Sequence, residues 1–171
     1  LYKHARHLLH HLRQVVHDTA HARAEPDSHL VWLPTCDGMP LVFRLMSDEP
    51  TLCALELAEA LKKHPEIPLR IGIHTGPVRA VTDVSGRSNI AGAGMQMAQR
   101  VMDCGDAGHI LVSQRVAGGQ EQYRQWGPRL HDLGECEVKH GVRLSIVNLY
   151  TGELGNPERP ARLKSAAQVS R

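Results

Sequence analysis

The sequence predicts an α+β fold, a sheet with helices on one face, and three observations carry that prediction. Near the start, Leu8, Leu9, Leu12, Val15, Val16 and Thr19 recur at three and four, the repeat of an amphipathic helix. Further on, Leu69, Ile71 and Ile73 alternate with Arg70, Gly72 and His74, the repeat of a strand. Finally, the chain is 42% hydrophobic but only 4% aromatic, so its core is aliphatic, as suits helices stacked on a sheet.

Taken in order, Tyr2 to Ala24 is the first helix, ended by Pro26, Asp27 and Ser28. His29 to Leu33 and Met39 to Met46 form a β-hairpin whose turn, Pro34-Thr35-Cys36-Asp37-Gly38, carries an aspartate at its tip. Glu49-Pro50 opens a helix reaching about His64, with Leu52, Leu55, Leu57, Ala58 and Leu61 on its buried side. Ile67 to His74 is a strand stopped by Gly76-Pro77, and Val78 to Val84 is another, followed by a Ser85-Gly86-Arg87 turn. Ile90 to Met102 is a Gly-rich entry into a helix that Gly105 ends as a left-handed cap. His109 to Val112 is a short buried strand, and Ser113 caps a helical turn. Leu130 to Tyr150 alternates as two strands around Lys139-His140-Gly141, and from Thr151 the Gly, Asn, Pro, Arg and Ser composition reads as a mobile linker.

Composition narrows the function. The 171 residues carry 20 Lys+Arg against 18 Asp+Glu, interspersed, with neither a nucleic-acid-binding stripe nor a polybasic membrane patch. The longest apolar cluster, Leu30 to Leu33, is stopped by Pro34, far short of a membrane span. Cys36, Cys53, Cys104 and Cys136 have no C-x-x-C spacing and fit a reduced, cytoplasmic compartment as small buried hydrophobes. The chain begins at Leu1 without a signal-peptide pattern, and is expected to be part of something longer. Its partners are expected to be a small molecule and other protein, not nucleic acid or membrane.

Twelve histidines are the outstanding oddity, and six lie on the first helix: His4, His7, His10, His11, His17 and His21. His7/His11 and His17/His21 have the i,i+4 spacing that can place two imidazoles on one metal, but no carboxylate or cysteine completes a tetrahedral set. Met39, Met95, Met97 and Met102 read as gap-filling core, and Trp126 as the residue packing a loop onto the sheet.

The stretches with chemical content are the Asp37 hairpin tip, the helix carrying Arg100, and the Lys139 turn. A carboxylate on a turn is a ligand type for a hard cation, and arginine and lysine are donors to phosphate oxygens, the guanidinium in a bidentate way. Together with Leu33-Pro34-Thr35-Cys36-Asp37-Gly38-Met39, Leu69 to Val78, Ala98 to Ser113 and Asp132 to Gly141, in that order and spacing, they resemble the class III nucleotidyl cyclase catalytic domain, adenylyl or guanylyl, of bacterial type. The resemblance spans about residues 8 to 157.

It implies a ferredoxin-like, palm-type βαββαβ fold with a mixed, mainly antiparallel sheet. Residues 1–150 would be the cyclase homology domain lacking its first strand, and residues 151–171 a tail. It further implies a homodimer with shared active sites, ATP or GTP as substrate, two Mg2+ or Mn2+ ions, regulatory domains elsewhere in the parent chain, and a cyclic nucleotide and pyrophosphate as products. By that resemblance Asp37 is a metal ligand, Arg100 the transition-state arginine, Gln96 the ribose-orienting position, and Lys139 a contact to the terminal phosphates. Leu33 and Asn89 stand at the base-reading positions.

Departures from the family pattern accompany the matches. The family's opening strand, with its first metal-binding aspartate, is not found in these residues. Cys36 replaces the glycine before the hairpin aspartate, and Gln96 replaces an asparagine. Leu33 offers no hydrogen bond to a purine edge, so the sequence does not select ATP or GTP. The alternative implied by these changes is a catalytically degenerate pseudo-cyclase serving as a dimerisation or nucleotide-sensing module. A diguanylate cyclase is set aside, since Gly118-Gly119-Gln120-Glu121-Gln122 lacks the Asp-Glu-Phe part of that family's loop.

Overall fold

A computed structural model of the chain describes residues 2–19, 30–33, 38–44, 48–82, 84–86, 88–120, 122 and 124–163. These fall into two compact units, residues 1–68 and 69–171.

The first unit contains α1 (Tyr2–Asp18), β1 (Leu30–Trp32), β2 (Leu41–Phe43) and α2 (Glu49–Leu61). Leu12, Val15 and Val16 form the buried stripe of α1, which packs against α2. The expected hairpin is present: β1 and β2 pair antiparallel with Leu30 opposite Phe43 and Trp32 opposite Leu41. Pro50 lies in the first turn of α2, where its missing N–H costs nothing. Leu55 and Leu57 are buried as expected, and Leu52 alone of the expected residues is exposed. Thr51, Ala54 and Leu55 share one stripe at i, i+3 and i+4, together with Cys53 and Leu57, and this leaves Leu52 39% exposed.

The second unit contains β3 (Ile71–Ile73), β4 (Arg79–Thr82), β5 (Ser88–Ala91), α3 (Ala93–Met102), β6 (Ile110–Ser113), α4 (Gln114–Gln120), β7 (Leu130–Val138) and β8 (Val142–Leu149). Its main sheet has the order β3-β6-β8-β7, with β3 and β6 parallel and the other pairs antiparallel, a mixed, mainly antiparallel sheet. A parallel pair needs a crossover, and α3 supplies it, packing on both β3 and β6. The two backbones touch at Gly72, where a Cβ would lie 2.5 Å from the Ala98 carbonyl oxygen and 2.5 Å from the Met102 nitrogen. Only glycine fits there. Val101, Cys104, Leu111, Leu133, Cys136, Val138, Ile146 and Leu163 form one buried cluster. Burial pushes the Cys104 thiol up to about 12, with Cys136 beside it adding to the shift, and burial does the same to Cys53.

Three expectations are corrected. Ile90 and Ala91 do not begin the helix but end β5 (Ser88–Ala91), paired with β4 so that Val81 faces Asn89 and Arg79 faces Ala91. Gly105 is not among the glycines with positive φ, so it is no left-handed cap; a Cβ there would lie 3.0 Å from both His109 Cβ and Leu111 Cδ1, so glycine serves close packing.

The third correction concerns the expected linker after Thr151, whose described part, to residue 163, is fastened down. Leu163 is 3% exposed within the core cluster. Buried polar groups hold the rest: Asn148 Nδ2 donates to the Asn156 carbonyl at 2.8 Å, and His109 Nε2 to the Glu158 carbonyl at 2.8 Å. The Ala161 N–H donates to Asp106 Oδ2 at 2.8 Å, and Arg159 Nη2 to the Leu133 carbonyl at 3.0 Å. The Gly, Asn and Pro content is turn chemistry in the service of this path, since buried donors at His109 and Asn148 must find acceptors. Among the described residues no helix is long and apolar enough to cross a membrane.

Candidate functional site

The start of α3 is built on close backbone contacts. Gly92 precedes the helix with φ 151°, and its Cβ would fall 2.6 Å from the Pro77 carbonyl oxygen; one at Gly94 would fall 2.8 Å from that of Gly76. The Gly94 N–H donates to the Pro77 carbonyl at 3.0 Å. This pins the N-terminus of α3 against the segment leaving β3 and leaves an open hollow of about 330 Å³ lined by Pro77, Val78, Arg79, Ala91, Gly92 and Ala93. Asn89 shares the Ala91 face of β5, because residues two apart on a strand point the same way. Its side-chain Oδ1 accepts from the Ile90 N–H at 2.8 Å.

Along α3, Gly94 and Val101 face inward, seven residues apart on one stripe. Gln96 and Arg100, separated by one turn, point away from that stripe; Gln96 is exposed and Arg100 half-buried. Arg100 lies in the last turn of α3, where its charge complements the helix dipole. Among the described residues no carboxylate pairs with Arg100, whereas Arg70 stands 3.7 Å from Asp103 and Arg143 3.6 Å from Glu135. Lys139, exposed, opens the 3₁₀ turn between β7 and β8. The register pairs Ser113, the last residue of β6, with Ile146, so the turn projects past the end of β6 by roughly 13 Å at the usual rise per residue.

The structure thus brings Gln96 and Arg100 together on one helix face, with Asn89 on the strand leading into that helix. No hydrogen bond or ion pair among the described residues joins Lys139 to either. Leu33 lies in the first unit, half-buried, its N–H donating to the Pro40 carbonyl at 3.0 Å. Asp37 and Cys36 lie outside the described residues.

Residues 46–150, more than half of the chain, match the family model of the adenylate and guanylate cyclase catalytic domain. The chain belongs to this family. Its fold is similar to two solved bacterial-type cyclase structures, the adenylyl cyclase CyaB from P. aeruginosa and the guanylyl cyclase Cya2. The first matches with TM-score 0.60 and 17% identity over 90% of this chain and 84% of that one. The second matches with TM-score 0.60 and 17% identity over 94% of this chain and 86% of that one. None of the curated proteins matches the sequence.

Within this cyclase domain the structure also shows a group that sequence reasoning passed over. His74, at the end of β3, places Nδ1 2.9 Å from the Ser113 hydroxyl, tying together the ends of the two parallel strands. Ser113, expected to cap α4, is engaged here. Burial, followed by the charge of Arg115, holds His74 below the usual imidazole range. The available signal was a polar residue ending an alternating strand, with Gly76 next to it; the ring's Nε2 lies 3.0 Å from where a Gly76 Cβ would be.

Proposed function

We propose that this cyclase domain converts ATP or GTP into the 3′,5′-cyclic nucleotide and pyrophosphate, in a site shared between two copies of the chain. The observation that carries the reading is the outward pair Gln96 and Arg100, one turn apart on a helix locked to the sheet, with no carboxylate on Arg100 among the described residues. In the reaction the ribose 3′-oxygen attacks the α-phosphorus, a new P–O bond forms, and the bond to the bridging oxygen of pyrophosphate breaks. Negative charge builds on the phosphoryl oxygens, and catalysis consists of positioning and charge stabilisation.

Arg100 suits that charge: its guanidinium can take two phosphoryl oxygens at once. Gln96, on the same face, can donate its amide to the ribose, one methylene longer than the family's asparagine. Asn89, on the same strand face as Ala91 in the hollow, is the proposed base contact; Leu33 stands at the other base-reading position by the family resemblance alone and has only apolar contact to offer. Lys139, exposed on its turn, is the proposed partner of the terminal phosphates.

Two divalent ions would neutralise the triphosphate and activate the attacking oxygen. Their proposed ligand in this chain is Asp37, outside the described residues; among those described, the grouping able to hold a metal is His11, His64 and Glu66, which is not an oxygen-rich site for Mg2+. Hence every step above rests on Arg100, Gln96 and Lys139.

Pyrophosphate release from ATP and from GTP with Mn2+, in wild type and in Arg100→Ala, tests this. The expected loss is about 10³-fold or more, the range for removing an arginine that neutralises phosphoryl-transfer charge. Release that is equal in the two proteins would overturn the proposal.

A further inference from the structure

The histidines of α1 find their missing partner elsewhere in the first unit. His11 on α1, and His64 and Glu66 in the turns after α2, bring one ligand atom each to within 4.8 Å of one another. His64 Nδ1 is 3.2 Å from Glu66 Oε1, and His11 Nδ1 is 3.9 Å from the same oxygen. The last distance is too long for a hydrogen bond, and His11 Nδ1, shielded from solvent, has no hydrogen-bond partner. One turn back, His7 packs its ring against that of His11, centroids 4.2 Å apart, and the His64 ring centroid is 6.1 Å from that of His11.

We propose that His11, His64 and Glu66 form a Zn2+ site, with water or His7 in the fourth position. Two imidazoles and a carboxylate are a recurrent zinc donor set, and imidazole selects such borderline metals over Mg2+. With metal–ligand bonds of about 2.1 Å, tetrahedral donors lie about 3.4 Å apart. The two distances to Glu66 bracket that value and all three ligand atoms lie within 4.8 Å of one another, so side-chain rotation without backbone movement would close the set. Zinc there supplies the orphaned His11 nitrogen with a partner. It also staples α1, which lies outside the matched residues 46–150, to the end of α2, which lies inside them.

Zn2+ titration of the untagged chain by calorimetry, with the visible spectrum of the Co2+ form, tests the site. Expected are one tight Zn2+ per chain, tetrahedral Co2+ bands, and a rise in melting temperature on adding Zn2+. His64→Gln and Glu66→Gln should each weaken binding by about tenfold or more and remove the Co2+ bands, since even loss of a group that only supports a ligand costs 10–100-fold. Both replace exposed or half-exposed side chains, and circular dichroism verifies that the variants fold. The double variant His10→Ala/His17→Ala, which removes two other histidines of α1, should leave affinity within about twofold, well inside that margin. Unchanged affinity in His64→Gln and Glu66→Gln, or an equal loss in the double variant, would overturn the proposal and leave only non-specific binding by a histidine-rich helix.

Discussion

Replacing Gly72 with alanine tests the contact on which the position of α3 depends. The new Cβ would lie 2.5 Å from the Ala98 carbonyl oxygen, 2.5 Å from the Met102 nitrogen and 2.7 Å from Met102 Cβ. Ordinary van der Waals contact begins near 3.4 Å, so about 1 Å must be opened, and two of the three obstructing atoms are helix backbone that no rotamer change can move. Overpacking of this kind costs about 1–3 kcal/mol, and the rigid obstacle places Gly72→Ala at the upper end. The entropy that alanine removes from the unfolded chain returns only about 0.4–1 kcal/mol. At about 2–4 °C per kcal/mol for a chain of this size, a net loss near 2 kcal/mol lowers the melting temperature by roughly 4–8 °C. A shift of α3 by about 1 Å also displaces Gln96 and Arg100, a misplacement that can reduce turnover by about 10²-fold. Thermal melts followed by circular dichroism, paired with pyrophosphate release, read both effects. Gly119→Ala is the matched control: nothing lies within 4 Å of its Cβ, and within α4 alanine should stabilise by about 0.5–1 kcal/mol. If Gly72→Ala melted within about 1 °C of wild type, the close helix–strand contact would be refuted.

Two further outcomes are expected. Leu163→Ala should destabilise the chain by about 2–5 kcal/mol in urea unfolding, the cost of deleting a buried leucine, whereas a mobile tail would give almost no change. For His74, whose folded pKa lies below its unfolded value near 6.5, the unfolded chain binds the proton more readily. Its contribution to stability is therefore complete above about pH 6.5 and is withdrawn as pH falls from there toward the folded value. His74→Gln should flatten the fall in melting temperature between about pH 7.5 and 5.5, and an unchanged slope would count against the His74–Ser113 account.

The sequence was legible where a single period dominates. Val15 and Val16 on α1, the alternation ending at Ile73, and the buried Trp126 all fell where pattern alone put them, because each reports a face turned to a core. It was least legible where glycine had two meanings. Gly92 and Gly94 do mark the helix entry, as N-cap and in the first turn of α3, but they also serve close backbone approach to Pro77 and Gly76, and starting the helix at Ile90 took in the last two residues of β5. Likewise, Gly105 is expected as a left-handed helix cap but makes room for His109 and Leu111. Gln96 and Arg100, which the family resemblance singles out, lie on the helix that the sequence predicts there. What spacing could not give was the partnership of His11 with His64 and Glu66, or of His74 with Ser113, since these join residues about 55 and about 40 positions apart through tertiary packing.

The family match ends at residue 150, but the structure that holds its helix in place does not. Val101, in the last turn of α3, and Cys104, just after the helix, occupy the same buried cluster as Leu163, and Arg162 reaches the Asp103 carbonyl at 3.5 Å. Arg100 is therefore immediately followed by a residue whose packing depends on the segment after the match. Close-packed interiors transmit a lost contact to their neighbours rather than absorbing it. Residues sharing such a cluster are not energetically independent, so changes at Leu163 and at Val101 should combine non-additively. The part of the chain least marked by the family thus bears on the side chain most central to its proposed chemistry, since Leu163 packs in the same buried cluster as Val101.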